Sequence, residues 1–375
     1  MRLLYINDAI AIYGGLERVL VEKINWLVEQ DNYEVYLLTA NQGDYPLSFS
    51  LHSKVKYEDL GILFYQQYQQ TGWRRLVKNR QLHRLFRERL NDRIKAIAPD
   101  VIICTRLEYL YDIIKVKGTI SLIFESHSSR RFSRFAGDGL IRRLYVWYLQ
   151  LAVLKIQRVV ALTNGDANEW RKLTSKVSII PNIVHLNDSN IYSDCRACSI
   201  IFVGRFSKQK DVGCLLHIWK IIHQRYPDWY LYIYSGYGDQ QDAMLQEIQK
   251  MDANIIVPTP TANMMERYRE CSILLLTSKF EPFGLVLPEA MSCGLPVVAF
   301  DCPYGPADII TDGLDGFLIR HRDMNAFAEK VCLLMENEAL RQRMGQAAVI
   351  SSQRYQPSLI MLQWKKLFES LSGKK

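Results

Sequence analysis

Residues 272–301, which read SILLLTSKFEPFGLVLPEAMSCGLPVVAFD, contain the pattern on which the predicted fold depends. The run SILLLTS has the length and continuous apolarity of a buried parallel strand, and so has PVVAFD at 296–301. Between them, LVLPEAMSCG has the spacing of a helix and ends at Gly294. Strand, loop, helix and strand in this order form the repeating unit of a doubly wound α/β domain.

Strand-length runs of this kind recur in two series, separated by a polar segment without periodicity at 181–198. The first series contains RLLYIN (2–7), EVYLLTA (34–40), VIICT (101–105), ISLIFE (120–125) and RVVALT (158–163). The second contains SIIFVG (199–204), WYLYIYSG (229–236), NIIVP (254–258), SILLLTS (272–278) and PVVAFD (296–301). Helical patterns such as LERVLVEKINWLVEQ at 16–30 lie between the strands, and 375 residues with 49% hydrophobic content fill two cores. We therefore predict Rossmann-like domains at 1–185 and 186–355, followed by a helical segment at 356–375.

Positive charge is concentrated in the first half of the chain. Residues 1–180 hold 27 Lys and Arg against 18 Asp and Glu, a net charge of +9, whereas the remaining 195 residues hold 20 against 21, a net charge of −1. The stretches 73–95 and 130–150 mix cations with aromatic and aliphatic residues. A solvated helix face, an anionic membrane surface and nucleic acid all stay open as explanations. The lack of a zinc-finger, RNA-recognition or helix-turn-helix pattern counts against nucleic acid.

The expected location is the cytoplasm, with peripheral contact at the inner face of the cell membrane. No apolar run approaches the ~20 residues of a membrane span, and the first apolar run ends at Asp8, unlike a signal peptide. The eight cysteines lie mostly within apolar runs, which suits a reducing compartment. Cys195 and Cys198 form one Cys-x-x-Cys pair without a second pair at zinc spacing, so we interpret them as structural.

Ligands of parallel sheets bind beyond the carboxyl ends of the strands, so residues that follow strands are the candidate site. Arg205 and Lys210 follow Gly204 in a loop that leads into a helix, an arrangement suited to a phosphate or diphosphate. Gly14-Gly15 after the first strand, and Gly236 after a strand of the second series, would let backbone amides approach a ligand. A tight turn is the alternative explanation for Gly14 and Gly15 because neither a Walker motif nor GxGxxG is present there.

Two carboxylates accompany these cations. Glu281 lies in the loop after SILLLTS and Glu289 lies about two helical turns further on. The amides of Phe283, Gly284 and Leu285 form a predicted second anion site. Carboxylates accept hydrogen bonds from hydroxyl groups, while cations and amides bind phosphates, so a nucleotide-sugar fits the set. A glycoside hydrolase with two catalytic carboxylates is less favoured because it does not need a phosphate site.

His127 follows ISLIFE, at the carboxyl end of a strand, where it is either a structural residue or a contact to substrate. No Asp-x-Asp is present to hold a nucleotide-bound Mg²⁺, and Arg205 with Lys210 can neutralise a leaving diphosphate instead. We therefore expect no metal and no bound cofactor.

These residues resemble the retaining glycosyltransferases of family 4, which have the GT-B fold of two Rossmann-like domains facing across a cleft. The resemblance is carried by Glu281-Pro-Phe-Gly-Leu-Val-Leu-Pro-Glu289, by Gly204-Arg205 with Lys210, by Gly14-Gly15-Leu-Glu, by Pro181-Asn182 and by GPADIITDGLDGFLI at 305–319. The motifs occur in the family's order and are strongest over 198–320. The resemblance implies transfer of a sugar from a nucleotide-sugar, expected to be a UDP-sugar, to a saccharide or lipid-linked saccharide in cell-surface polysaccharide biosynthesis. It also implies that the last helix crosses back to the first domain.

The resemblance further implies roles for single residues. Arg205 and Lys210 would bind and stabilise the leaving diphosphate, and Glu281 would contact hydroxyls of the donor sugar. Glu289 would bind the nucleotide ribose, and the amides of Phe283, Gly284 and Leu285 would meet sugar and phosphate oxygens. His127 would lie beside the anomeric region, and Gly15 near the phosphates.

The chain departs from the family pattern at two places. Asp211 stands after Lys210 where family members often have glycine, and PNIVH stands in place of Pro-Asn-Gly-Val-Asp. Two alternatives stay open: a nucleotide-sugar epimerase of the same fold, and a non-catalytic nucleotide-sugar binder. Phosphorylase activity is disfavoured because no lysine motif for pyridoxal phosphate is evident. Nucleotide release that depends on an acceptor would single out a transferase.

Overall fold

The computed structural model describes residues 1–30, 33–130, 139–236 and 238–372. The chain separates into two compact units, Met1–Ile183 with Ile360–Lys375, and Val184–Leu359. Each unit contains one parallel sheet flanked by helices. The predicted α/β class with two doubly wound sheets is therefore confirmed.

The first unit is built on a sheet of seven parallel strands in the order β3-β2-β1-β4-β5-β6-β7. The strands are β1 Arg2–Asn7, β2 Glu34–Thr39, β3 Lys56–Asp59, β4 Val101–Cys104, β5 Ser121–Ser126, β6 Arg158–Ala161 and β7 Val177–Ile179. The order reverses between β1 and β4, which places the crevice of this sheet at their carboxyl ends.

The described residues of the first unit form these α-helices before the linker: α1 Gly15–Glu29, α2 Gly72–Ile97, α3 Leu107–Val116, α4 Leu140–Gln150 and α5 Asn164–Arg171. In α2 the buried side chains recur about every fourth residue from Leu82 to Ile94, so one stripe of the helix faces the core. That core combines strand residues such as Phe124 with helix residues such as Phe86 and Trp170.

The second unit contains six parallel strands in the order β10-β9-β8-β11-β12-β13. The strands are β8 Ser199–Val203, β9 Tyr230–Tyr234, β10 Ile255–Ile256, β11 Ile273–Leu276, β12 Val297–Asp301 and β13 Gly316–Arg320. Their order reverses between β8 and β11. The crevice of this sheet therefore lies beyond the carboxyl ends of those two strands.

The helices of the second unit are α6 Val212–His223, α7 Gln241–Gln249, α8 Met264–Arg269, α9 Val286–Ser292, α10 Pro306–Ile309, α11 Met324–Glu336 and α12 Glu338–Ser352. The core packs α6 and α11 against the sheet, with Trp219 and Phe327 fully buried. The last helix, α13 Pro357–Leu371, belongs to the first unit from Ile360 onward. Its residues Trp364 and Phe368 are buried there.

All ten strands predicted from apolar runs are present. Within the residues that the structure describes, three further strands were not predicted. β3 is the edge of its sheet and reads KYED, with no buried residue, and β7 has only three residues. β13 reads GFLIR within the segment 305–319 that was interpreted as a motif.

In the part of the chain that the structure describes, none of the helices has the length and apolarity needed to cross a membrane. The basic stretch 73–95 lies within α2. Of the second basic stretch, α4 is described, whereas 131–138 lies outside the described residues.

Candidate functional site

Lys210 and Glu281 meet at the crevice of the second sheet. Lys210 comes from the loop after β8 and Glu281 from the loop after β11. The Nζ of Lys210 lies 2.5 Å from Oε1 of Glu281, and their side chains are 16% and 5% exposed. The two residues predicted to bind the diphosphate and the donor sugar are therefore ion-paired to each other.

The two loops are also joined by hydrogen bonds to their backbone carbonyls. Thr277, directly after β11, donates its hydroxyl to the carbonyls of Lys210 at 3.2 Å and of Asp211 at 3.3 Å. The amide of Lys279 donates to the Gln209 carbonyl at 2.8 Å, and the Gln209 side chain donates to Phe280 O at 3.1 Å. These bonds fix the position of Lys210 relative to Glu281.

Glu281 is held by further contacts. Its Oε1 also accepts a hydrogen bond of 2.6 Å from Ser278 Oγ. Its amide donates to Pro303 O at 2.7 Å, and its carbonyl accepts from the amides of Tyr304 and Gly305 at 2.8 and 2.9 Å. The carboxylate thus has a fixed direction, with one oxygen occupied by Lys210 and Ser278.

Arg205 differs from Lys210 in being exposed. Within the described part of the chain its guanidinium has neither a hydrogen bond nor an ion pair. The next residue, Phe206, is buried and anchors the loop, since its amide donates to Ser235 Oγ at 3.1 Å. Gly204 lets the Lys210 stem pass closely, because a Cβ at Gly204 would lie 3.2 Å from that stem. A rigid loop therefore carries an unpaired planar cation suited to phosphate oxygens.

The glycines after β9 are of two kinds. A Cβ at Gly238 would collide with the Phe206 backbone, so this glycine allows the loops after β8 and β9 to pack. Gly236 is exposed and has open space where a Cβ would stand. The structure thus leaves room beside Gly236 and gives it no packing role.

The predicted amide site precedes α9. Gly284 has φ +96°, a conformation that favours glycine, and its carbonyl accepts from the Leu287 amide at 3.0 Å. Among the described residues, the amides of Phe283, Gly284 and Leu285 find no hydrogen-bond acceptor. The Phe283 ring is buried edge-on against Tyr355, with 5.4 Å between ring centroids. Three donors are therefore held by a fixed turn and remain available.

Glu289 lies in α9 with 4% exposure, and its Oε2 accepts a hydrogen bond of 3.1 Å from the Tyr268 hydroxyl on α8. The structure brings Glu289 and Glu281 into the same loop-and-helix segment, but Glu281 is the carboxylate that meets Lys210. Tyr268 was not identified from the sequence.

Asp211, where the family often has glycine, adopts φ +52° and ψ +54° at the start of α6. This left-handed conformation disfavours side chains, so the backbone here has the shape that glycine would adopt freely. The carboxylate of Asp211 compensates by pairing with Arg322 and by lying 3.7 Å from Lys279 Nζ. The substitution therefore keeps the turn.

In the first unit, Gly14 and Gly15 begin α1 after β1. Gly14 caps the helix in an extended conformation, and its carbonyl accepts from the Arg18 amide at 3.1 Å. A Cβ at Gly14 would collide with the carboxylate of Glu17. Gly14 thus has a packing reason to be glycine, whereas Gly15 is exposed.

His127 follows β5, and its ring is enclosed, with a side-chain exposure of 4%. Its Nε2 lies 3.2 Å from Oε1 of Glu125, although the two are not aligned as a regular hydrogen bond. The other carboxylate oxygen of Glu125 bonds to Nζ of Lys23 on α1. Burial favours a raised pKa for the Glu125 carboxyl, but the charge of Lys23 and the contact with His127 outweigh it and lower that pKa to about 2.

A second buried carboxylate lies next to this group. Asp166, on α5, accepts hydrogen bonds from the Arg130 amide at 2.8 Å, from Ser126 Oγ at 3.0 Å and from Trp170 Nε1 at 3.0 Å. Burial raises the pKa of Asp166 to about 6 in spite of these bonds. The polar residues on both sides of His127 are thus held by buried contacts.

Sequence reasoning missed Lys23, Glu125 and Asp166. A lysine within the apolar stripe of α1 was a usable signal, because lysine is seldom fully buried without a partner. Glu125 was assigned to a strand and given no role. Among the residues that the structure describes, no three His, Cys, Asp or Glu side chains group as metal ligands do.

Comparisons with known proteins agree with this architecture. The family described as "Glycosyl transferases group 1" matches residues 197–349, and "Glycosyltransferase Family 4" matches residues 13–188. The amylovoran biosynthesis glycosyltransferase AmsD of Erwinia amylovora is 30% identical over 375 residues, covering 97% of this chain and 98% of AmsD.

Two solved structures share the fold. TarM of S. aureus gives a TM-score of 0.77 at 14% identity, covering 98% of this chain and 99% of TarM. Alr3699/HepE of Anabaena gives a TM-score of 0.72 at 18% identity, covering 99% of this chain and 100% of that one. The chain therefore belongs to the group 1, family 4 glycosyltransferases, and its two sheets are those of the GT-B fold.

Proposed function

We propose that this glycosyltransferase moves a sugar from a UDP-sugar to a saccharide or lipid-linked saccharide, with retention of anomeric configuration, in the synthesis of a cell-surface polysaccharide. The observation that carries the proposal is the pairing of Lys210 with Glu281 at 2.5 Å beside the exposed Arg205. The named relatives support the pathway, since AmsD is an amylovoran biosynthesis enzyme. UDP as the carrier is supported by TarM and HepE, which were both solved with UDP.

We infer the following roles for these groups, in line with the resemblance to the family. Arg205 and Lys210 bind the diphosphate and stabilise the charge that develops as it leaves, while Glu281 accepts hydrogen bonds from the sugar hydroxyls. Amides of Phe283, Gly284 and Leu285 donate to sugar and phosphate oxygens, and Glu289 binds the ribose. His127 approaches the anomeric region and Gly15 the phosphates. Two cations supply the charge that a metal would otherwise supply, so the proposal includes activity without metal.

Product analysis tests the proposal against an epimerase and a non-catalytic binder. The purified protein is incubated with UDP-glucose, UDP-galactose or UDP-N-acetylglucosamine and an extract of lipid-linked oligosaccharides, with EDTA present. A retaining transferase should release UDP only when the acceptor is present. The new glycosidic bond should have the same anomeric configuration as the sugar in the donor. Conversion of the donor without acceptor would indicate an epimerase, and binding without any conversion would indicate a binder.

We also propose that the first unit docks on an anionic membrane surface, where a lipid-linked acceptor would be found. On α4, Ile141 is 85% exposed, Leu144 54% and Trp147 41%, and Arg142 and Arg143 are exposed beside them. Apolar and aromatic side chains among cations are typical of helices that lie in a membrane interface.

The first turns of α2 have the same character. Trp73 is 69% exposed and Leu76 71%, and both stand next to Arg74 and Arg75. Both α2 and α4 pack against α3, where Tyr111 stacks on Tyr148 with 4.8 Å between ring centroids. The two exposed clusters therefore lie on helices that both contact α3 in one unit.

Sedimentation with vesicles tests the membrane contact. The protein should sediment with vesicles that contain phosphatidylglycerol at low salt, and less with pure phosphatidylcholine. Leu144→Glu should weaken sedimentation, whereas Ile350→Glu, at a 76% exposed site of the second unit, should not. Failure of the parent to bind anionic vesicles at low salt would rule this contact out.

A further inference from the structure

A fully buried lysine lies on α1. The side chain of Lys23 is 1% exposed and bonds to Glu125, which is 2% exposed. The Nζ of Lys23 also lies 4.1 Å from the ring centroid of Trp364 on α13 and 5.3 Å from that of Tyr5 on β1. Two charges and two aromatic faces from four separate elements thus meet inside the first unit.

Such a pair is a poor choice for stability alone. Removing two charges from water is costly, and well-packed apolar residues of similar size are often as stable or more stable. Burial lowers the pKa of the Lys23 ammonium, and the charge of Glu125 opposes this. A buried pair that adds little stability suggests a functional role for these residues. The contact made by the second carboxylate oxygen of Glu125 indicates what that role is.

That second oxygen faces His127. The distance from Oε1 of Glu125 to Nε2 of His127 is 3.2 Å, and the imidazole is 4% exposed. Within the described residues, Nε2 forms no regular hydrogen bond, and the carboxylate of Glu125 is the charged group recorded beside it. An unprotonated Nε2 would place a lone pair beside a carboxylate oxygen, which is repulsive, so this distance favours a proton on Nε2.

We propose that Glu125, held in place by Lys23, orients the His127 ring and fixes its proton on Nε2 for glycosyl transfer. Lys23 and Glu125 are then positioning residues, and their buried ion pair fixes the orientation of His127 at the carboxyl end of β5. The inference rests on the proposed function, in which His127 lies beside the anomeric region of the donor.

Ser126, between Glu125 and His127, is also held by hydrogen bonds. Ser126 Oγ lies 3.0 Å from Asp166 Oδ2 and accepts from Trp170 Nε1 at 3.1 Å. The segment Glu125–His127 is thus fixed by α1 through Lys23 and by α5 through Asp166 and Trp170. A displacement of about 1 Å in a group that contacts the reacting atoms can reduce a rate roughly 100-fold, which gives this fixation a catalytic purpose.

The proton position is tested directly by a long-range ¹H–¹⁵N spectrum of protein labelled with ¹⁵N-histidine. The chain has seven histidines, and His127→Gln assigns the signal of His127 by its loss. The proposal predicts a protonated Nε2 in the parent, and loss of this single state in Glu125→Gln. A neutral ring with its proton on Nδ1 in the parent, or the same spectrum in Glu125→Gln, would overturn it. This measurement needs no donor or acceptor.

Kinetics separate positioning from stability. Lys23→Met leaves Glu125 as an unpaired buried carboxylate, whereas Lys23→Met with Glu125→Gln removes both charges and should unfold at a higher temperature than the single variant. We expect kcat with a UDP-sugar to fall roughly tenfold to a hundredfold in both, with KM nearly constant. Lys172→Met, which breaks an exposed pair with Glu169, is the control.

Parental kcat in the double variant would show that the pair serves stability only and would overturn the inference. If the parent transfers sugar from none of the UDP-sugars, the proposed function fails, while the spectrum still decides where the proton of His127 lies.

Discussion

The ammonium of Lys210 lies 2.5 Å from the carboxylate of Glu281, at the point where the strand order of the second sheet reverses. Each charge neutralises the other. Under the proposed function, a diphosphate that binds at Arg205 would compete with Glu281 for Lys210 and would free the carboxylate for hydroxyl groups of the sugar. This one ion pair would then couple diphosphate binding to the availability of the Glu281 carboxylate for the sugar.

Glu281→Gln is expected to separate binding from turnover. The amide keeps the size of the carboxylate but no longer competes for Lys210, so UDP should bind as tightly as to the parent or more tightly. Transfer should fall by roughly 100-fold or more because a charged contact to the sugar is lost. Calorimetric titration with UDP and an initial-rate assay measure the two effects. Glu329→Gln, an exposed site on α11, is the control. Parental turnover in Glu281→Gln would remove its assigned role.

Asp211 offers a test of backbone conformation. Its φ of +52° is readily adopted by glycine and is unfavourable for alanine. Both Asp211→Gly and Asp211→Ala lose the ion pairs with Arg322 and Lys279, so the difference between them isolates the backbone. We expect the glycine variant to be more stable by about 1–2 kcal/mol in urea unfolding. Equal stability would mean that residue 211 does not adopt this conformation in solution.

Asp166 should make stability depend on pH. Its pKa is about 6 when folded against 3.8 as the reference value, so the folded state binds the proton more tightly. The free energy of unfolding should therefore fall as pH rises from about 4 to about 6, and the loss is complete above that window. Going from pH 7 to pH 5 should recover about 1.4 kcal/mol.

The comparison with Asp166→Asn isolates this contribution, because the amide does not titrate. The stability of the parent relative to the variant should increase on acidification from pH 7 to pH 5, as measured by urea unfolding at each pH. A difference that does not change with pH would contradict the raised pKa.

Trp364 on α13 is predicted to be a stability determinant of the first unit. It is 1% exposed and covers Lys23, whereas Leu362 on the same helix is 48% exposed. Trp364→Ala should cost about 3–5 kcal/mol, and Leu362→Ala less than about 0.5 kcal/mol. Chemical unfolding of the two variants measures the contrast, which disappears if α13 does not pack as described.

Much of the fold could be predicted because its strands are buried on both faces. Runs such as VIIC in β4 and ILLL in β11 are continuously apolar, and their ends lie within two residues of the predicted ones. The edge strand β3 could not be found in this way, since an edge strand that buries little carries no apolar run.

The candidate site was also predictable only in part. Lys210 and Glu281 were found because each follows a strand at the sheet's crevice, although nothing in their spacing of 71 residues shows that they pair. The partnership of Lys23 with Glu125 spans 102 residues and depends on how α1 packs on β5, which apolar periodicity does not specify. The sequence therefore identified individual site residues, but it did not predict which residues on distant elements contact one another.

The central claim is that Arg205 and Lys210 bind the diphosphate of a uridine nucleotide, and thermal unfolding tests it most directly. UDP at 100 times its dissociation constant should stabilise the parent by roughly 2.7 kcal/mol, with or without Mg²⁺, while GDP and ADP should have little effect. The shift in melting temperature should disappear in Arg205→Ala and persist in Lys208→Ala, an exposed lysine of the same loop. An equal shift in Arg205→Ala, or no shift with any of the three nucleotides, would contradict the account.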